Sequence, residues 1–310
     1  MKEMKKDKEK DLFQFVEYSS EKAERIGYSN YSYWRCVFQN FAKKKSAVVM
    51  AVIFFALVAF SFIALEISKF DVHNLYIDPD LSYRSPDGTF WFGTDELGRD
   101  YWSQVWYATQ TSIKLALLVA LGECVVGITI GCLWGYVRAL DRPITEIYNV
   151  INNIPTIIYM TLIALLVGQS FFIMAVSLIA FGWLRMARNV RNLVLMYRDR
   201  EYNLASRCLG TPVWRILVKN IFPYLISIII LRLALSIPQT IALETTLSYL
   251  GLGLDVNEPS LGILLRNAKG CFMREPYMLI FPAAIVSIIT VTFYLVGNAF
   301  SDAADPRNHV

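Results

Sequence analysis

The chain is 310 residues long, 55% hydrophobic, with a formal net charge of +4, a composition too apolar for an ordinary soluble domain and too weakly basic for a nucleic-acid binder. Its five cysteines (Cys36, Cys124, Cys132, Cys208 and Cys271) are scattered without a C-x-x-C pair, and His73 and His309 stand apart from any ligand cluster. A disulfide framework and a metal centre are therefore not expected.

The first 45 residues are polar, rich in Lys and Glu to residue 25, so they read as a disordered tail rather than a cleaved secretory leader. Tyr31, Tyr33 and Trp34 predict an interfacial helix or aromatic belt, and Lys43, Lys44 and Lys45 an anchor on the inner side of the first span. Residues 46–65 and 278–297 carry no charge at all, and each approaches the roughly 20 residues that a helix needs to cross a bilayer. Hydropathy predicts an all-α integral membrane protein with six spans, near 46–66, 112–137, 144–168, 170–190, 222–246 and 278–298. The middle four are interrupted, by Glu123, by Asn152 to Pro155, by Arg185 with Arg188, and by Arg232 with Pro238. Such interruptions are tolerated where a helix faces other helices or a wet cavity.

Charge orients the spans. With the N-terminus inside, 22 of the 30 Lys and Arg fall on the inner side and six on the outer side, which places both termini in the cytoplasm. This divides the chain into a cytoplasmic tail (1–45), a first helix with an outer loop (46–110), a transmembrane core (111–300) and a short cytoplasmic end (301–310).

Between the fourth and fifth spans lies the polar block EYNLASRCLGTPVWR, residues 201–215. Good helix formers fill 201–208, with Leu204 and Cys208 four apart on one face, and Gly210 offers a break. Thr211 then reads as an N-cap and Pro212 as the first helical residue, giving two short helices folded at Gly210. On the outer side, Thr94 and Asp95 of FGTDELGRD are expected to cap a short helix leading into the second span. The same segment invites a calcium reading, but it lacks the spacing of an EF-hand loop, and a structural turn is preferred.

The block resembles the cytoplasmic signature of permeases in binding-protein-dependent ABC importers: Glu, small residues, Gly, then Ile-x-Pro, here Glu201, Ala205, Ser206, Gly210, Ile221 and Pro223. Phe92, Gly93, Thr94, Asp95, Gly98, Arg99 and Asp100 are similar to an extracytoplasmic motif of the C-type permease subunits of oligopeptide and dipeptide importers. LSYLGLGLDVNEPSLGILL (247–265), Asp302 and Asp305-Pro306-Arg307 resemble two further motifs of that group. The likeness runs from about residue 30 to the end and is greatest to the Gram-positive oligopeptide branch. Gln104, Asn298 and Ser301 depart from it.

The resemblance implies the six-helix type I importer permease fold, with 201–223 as the coupling helices that dock on an ATPase. It also implies the partners: a homologous B-type permease, two cytoplasmic ATPases, an extracytoplasmic peptide-binding lipoprotein and a peptide substrate in a bacterial plasma membrane. Dipeptide, nickel and glutathione importers share much of this motif set. ATP and magnesium would belong to the ATPases, because the chain has no G-x-x-x-x-G-K-[ST] motif and no hydrolase motif.

Three features are read from the residues alone. Gly127, Gly131 and Gly135 recur every four residues, predicting close helix packing, with pore lining as the alternative. Glu123, Arg232 and Glu244 are costly in a bilayer and are assigned to a translocation cavity. There Arg232 either pairs with Glu123, structurally or within the pathway, or meets a peptide carboxylate. An ion-coupled transporter using Glu123 and Glu244 is the rival reading, but it gives no reason for an ordered block at 201–223.

Overall fold

The structure is a computed structural model and describes residues 33–68, 70, 79–254 and 258–304. The expectations for the tail before Tyr33, including Tyr31, and for Asp305-Pro306-Arg307 lie outside them. The chain divides into a unit of residues 1–36 and a compact unit of residues 37–310. The described helices belong to the second, apart from Tyr33–Cys36 at the start of the first helix.

Helix α1 (Tyr33–Lys43) is amphipathic and leads directly into α2 (Lys45–Ile67), an apolar rod with almost no one-sided polarity. After the connection of residues 68–100, which includes a 3-10 turn at Pro79–Leu81, α3 (Tyr101–Tyr136) runs for 36 residues without a break. Helices α4 (Arg138–Asn152) and α5 (Thr156–Leu166) follow, then α6 (Phe171–Arg198). Two short helices, α7 (Glu201–Cys208) and α8 (Val213–Ile216), pass through a π-helical turn (Leu217–Ile221) into α9 (Phe222–Tyr249). Helices α10 (Leu261–Ala268) and α11 (Tyr277–Ala304) close the described chain. Among the described residues there is no strand, only an isolated bridge between Thr94 and Asp100.

Five of these helical segments are long and apolar enough to cross a membrane, and six if α4 and α5 count as one span. The interruption expected at Asn152 to Pro155 in the span at 144–168 is a full break, the axes bending by 78° between Asn152 and Thr156. Pro155 lacks an N–H and pushes Ile154 out of helical geometry, so the ladder stops there and restarts at Thr156. Pro143, Pro238 and Pro282 by contrast sit inside continuous helices.

The scaffold is centred on α3 and α6, which pack more extensively than any other pair. They run parallel and in register. A Cβ on Gly127 would lie 2.5 Å from Met186, one on Gly131 2.6 Å from the Ala187 carbonyl, and one on Gly135 2.8 Å from Val194. The glycine row is thus a packing seam, as small residues at four-residue spacing usually are. One apolar cluster joins Val105 and Ile113 of α3 to Ile241 of α9 and Ile289 of α11. Another, at the C-terminal end of α3 and α6, gathers Val190 and Val194 around Ile216, Ile221 and Leu225.

Candidate coupling block and intramembrane polar sites

Both ends of the bundle carry an ordered polar element. At the N-terminal end of α3, residues 83–100 fold into a compact turn. The Asp95 carboxylate accepts from the Leu97 and Arg99 amides at 3.0 and 2.8 Å, pairs with the Arg99 guanidinium at 2.7 Å, and accepts from Gln104 Nε2 at 2.9 Å. With these donors around it, Asp95 serves a structural turn. Gly93 (φ +77°) lies so close to the Arg84 carbonyl that a Cβ would come within 2.5 Å. Tyr277 of α11 fastens the turn, its hydroxyl donating to the Thr94 carbonyl at 2.9 Å.

The expected capping by Thr94 and Asp95 is corrected. Asp100 is the N-cap of α3, accepting from the Ser103 amide at 2.9 Å, and among the described residues no separate helix starts at Thr94 or Asp95. Burial raises the Asp100 carboxyl above the usual carboxylate range despite its bonds to Ser103. Thr94 instead turns its hydroxyl to the Leu81 carbonyl and accepts the Arg84 amide at 2.8 Å.

The opposite end holds residues 197–223. Glu201 lies in the first turn of α7, where a negative charge favours the helix dipole. The helix stops at Gly210 (φ +74°): the Gly210 amide donates to the Arg207 carbonyl at 2.9 Å and the Thr211 amide to the Ser206 carbonyl at 3.0 Å. This paired closure needs a left-handed residue, which glycine supplies without a Cβ penalty. The capping position of α8 is Pro212 rather than Thr211, with extended geometry and no side-chain cap bond. Ala205 and Glu201 are exposed, Ser206 is half-buried, Ile221 is buried and Pro223 opens the first turn of α9.

Residues that sequence reasoning passed over tie this block down. Asn203 is fully buried; its amide donates to the Tyr197 carbonyl at 2.9 Å, and its oxygen accepts from Asn220 at 2.9 Å. Asn220 sits in the π-helical turn, so this pair links the end of α6, helix α7 and the start of α9. Arg198 donates to the Gly135 carbonyl at the end of α3 (2.9 Å), and Arg207 donates to the Arg198 carbonyl (2.7 Å) and lies 5.1 Å over the Tyr136 ring. Asp199 stands among Arg198, Arg207 and Arg138 at 3.0, 3.5 and 3.8 Å. The hydrogen bond from Arg198 holds the Asp199 carboxyl below the usual carboxylate range.

Against this rigid rear, the front of the block is bare. Leu209 is 85% exposed and Trp214 75% exposed, with Tyr202, Leu204 and Val213 also open. Several large apolar side chains exposed on one short polar block are consistent with an interaction surface.

The three charged residues assigned to a cavity separate. Glu123 is only 7% exposed and takes a hydrogen bond from Ser236 Oγ at 2.6 Å, not a salt bridge from Arg232. Arg232 lies exposed on α9, so the expected pair does not form. Glu244, 1% exposed, is not among the residues lining the cavity beside Glu123. Its Oε1 accepts from Ser248 at 2.7 Å and from Ser260, the N-cap of α10, at 2.5 Å. It fastens α10 to α9, with the carboxylate set against a helix N-terminus. The cavity beside Glu123 has a volume of about 100 Å³ and is shared with Arg185, Thr240 and the α4–α5 break.

The model of the "Binding-protein-dependent transport system inner membrane component" family matches residues 127–310, which include the block, Glu244 and α11. This chain is a member of that family. It is 37% identical over 97% of its length, and 98% of the relative's, to the oligopeptide transport system permease protein AmiD of Streptococcus pneumoniae. It is 35% identical over 70% of its length, and 63% of the relative's, to the dipeptide transport system permease protein DppC of Lactococcus lactis. It is also 29% identical over 88% of its length, and 91% of the relative's, to the glutathione transport system permease protein GsiD of Pectobacterium atrosepticum. Among solved structures, the MetNI methionine ABC transporter in an inward-facing conformation shares the fold, with a TM-score of 0.53 at 18% identity, covering 64% of this chain and 94% of that one. The permease is thus a multi-pass membrane protein of the type I ABC importer fold and a permease component of a binding-protein-dependent importer.

Proposed function

We propose that this permease forms half of the translocation pathway of an ATP-driven oligopeptide importer in a bacterial plasma membrane. Its partners in this reading are a homologous B-type permease, two cytoplasmic ATPases that bind ATP and magnesium, and an extracytoplasmic peptide-binding lipoprotein. Both termini are cytoplasmic, which puts residues 199–223 inside and the Asp95 turn outside, beside the docking binding protein. The observation that carries the reading is the block itself: an ordered bent element, anchored behind and apolar in front, on a chain with no nucleotide-binding motif of its own.

Mechanistically, closure of the ATPase dimer presses on the exposed face around Leu209 and Trp214. Because Asn203 and Arg198 tie the block to α6, α9 and α3, the displacement moves those helices together and rocks the bundle between inward- and outward-open states. The direction of transport follows from the different affinities of the two states for ATP and for loaded binding protein. Within the block, Glu201, Ala205 and Ser206 seat against the ATPase, Gly210, Thr211 and Pro212 set the bend, and Ile221 and Pro223 pass the motion into α9. An oligopeptide is favoured over a dipeptide, nickel or glutathione because the likeness to the oligopeptide permease extends over nearly the whole of both chains.

The test is reconstitution of the whole assembly in liposomes, with ATP-dependent uptake of labelled oligopeptides measured against nickel and glutathione. Oligopeptide uptake that depends on ATP is expected, and Gly210→Leu or Glu201→Lys should abolish it while the protein still inserts in the membrane. Normal transport by both variants overturns the coupling role. Uptake driven by an ion gradient without the ATPases would establish the secondary-transporter reading instead.

A further inference from the structure

The cavity beside Glu123 combines three features that occur together nowhere else among the described residues. It is lined by an acidic side chain from α3, a basic one from α6, and the point where the α4–α5 span breaks. Glu123 and Arg185 each stand thirteen residues before the end of a helix, at Tyr136 and Arg198 of the parallel pair α3 and α6. At about 1.5 Å per residue both stand about 20 Å from those helix ends, at one level along the parallel pair.

Arg185 acts on Glu123 electrostatically across the cavity, but no direct ion pair closes between them among the described residues. Glu123 has a hydroxyl donor, Ser236, on Oε2, and no ion pair among the described residues. Arg185 is exposed to the cavity side and likewise forms no ion pair among the described residues, although both line the same space. Gly182 brings the α6 backbone so near Glu123 that a Cβ there would collide with the carboxylate, which holds the side chain in place. An ionised carboxylate buried within a candidate membrane span is costly without a cation and further hydrogen bonds. Secondary transporters build substrate sites from broken helices with charges inside the span, and the same parts meet here. Tyr159 and Phe181, stacked at 3.9 Å, also line the cavity.

We propose that this cavity is a subsite for the free amino terminus of a peptide in transit, the ammonium pairing with Glu123 and the first carbonyl oxygen accepting from Arg185. Thr240 offers a hydroxyl beside them, and the Tyr159–Phe181 wall faces the first side chain. A volume of about 100 Å³ accommodates one terminal residue rather than a whole peptide. The subsite rests on the peptide-importer reading and adds the group that is recognised.

The experiment measures equilibrium binding of a labelled tetrapeptide and its N-acetylated twin to the purified, nucleotide-free assembly in nanodiscs, without the binding protein. A charge-assisted bond of about 1.5–3 kcal/mol corresponds to a preference of about ten-fold or more for the free amino terminus. Glu123→Gln, which keeps the volume and the bond to Ser236, should bring the two affinities together while leaving the acetylated form within about two-fold of wild type. Arg185→Gln should weaken both forms. Equal binding of the two peptides by wild type, absence of saturable binding, or a preference that survives Glu123→Gln overturns the subsite. ATP-driven uptake by the same preparation with the binding protein added separates the two readings. Uptake without terminal discrimination removes the subsite alone, and no peptide uptake at all removes the importer reading.

Discussion

At the scale of single residues, the polar side chains with the greatest structural consequence are amides rather than charges. Asn203 and Asn220 are neutral, so the bilayer-charge argument that singled out Glu123 and Arg232 passes them by. Yet the 2.9 Å bond between them is the direct link from α7 to the turn that opens α9. Asn220→Leu leaves the buried Asn203 oxygen without its strongest partner, a cost of about 1–3 kcal/mol. Peptide uptake per ATP hydrolysed is expected to fall about five-fold or more, with membrane insertion and ATPase binding retained. Unchanged stoichiometry in proteoliposomes would show that the tie is dispensable. Asp199 has a different character: it is exposed on one side and surrounded by three arginines. Its carboxyl titrates below the ordinary range in the folded state. The stability it contributes is therefore present above the unfolded value and lost as pH falls through the folded one.

At the scale of elements, the parallel pair α3 and α6 is decided by glycine. Lipid tails are as apolar as the helix surfaces, so association depends on close packing and not on water exclusion. Gly131 lies against the Ala187 carbonyl with no room for a side chain. Gly131→Leu should force the helices apart and lower the thermal midpoint of the purified assembly through a cost of about 1–3 kcal/mol. A midpoint equal to wild type would place the seam elsewhere. The α4–α5 break is also an element-scale feature. Its proline was legible in the sequence, but a proline also sits inside α9 without interrupting it. Which proline breaks a helix depends on whether neighbouring helices satisfy the freed backbone groups.

At the scale of the whole molecule, the two polar ends fix an orientation that can be measured. Cys208 is exposed on α7, within the block assigned to the cytoplasm. In a variant whose other cysteines are replaced, a membrane-impermeant maleimide should leave Cys208 unlabelled in intact cells and label it in inverted vesicles. Labelling of intact cells would reverse the topology and, with it, the coupling assignment.

Hydropathy, charge bias and four short motifs determined by themselves that the chain is a helical membrane permease, with an ordered block at 201–223 bent at Gly210. These properties are written in local composition and in backbone preference, which one segment reveals without its neighbours. Partnership across the bundle is not local. Only the tertiary structure decided that Glu123 bonds Ser236, 113 positions away, while Arg232 turns outward. It likewise showed that Glu244 secures the start of α10 and that Asp100, not Thr94 or Asp95, caps α3. A charge inside a membrane announces that it needs a partner, but helix packing and rotation choose which one it meets.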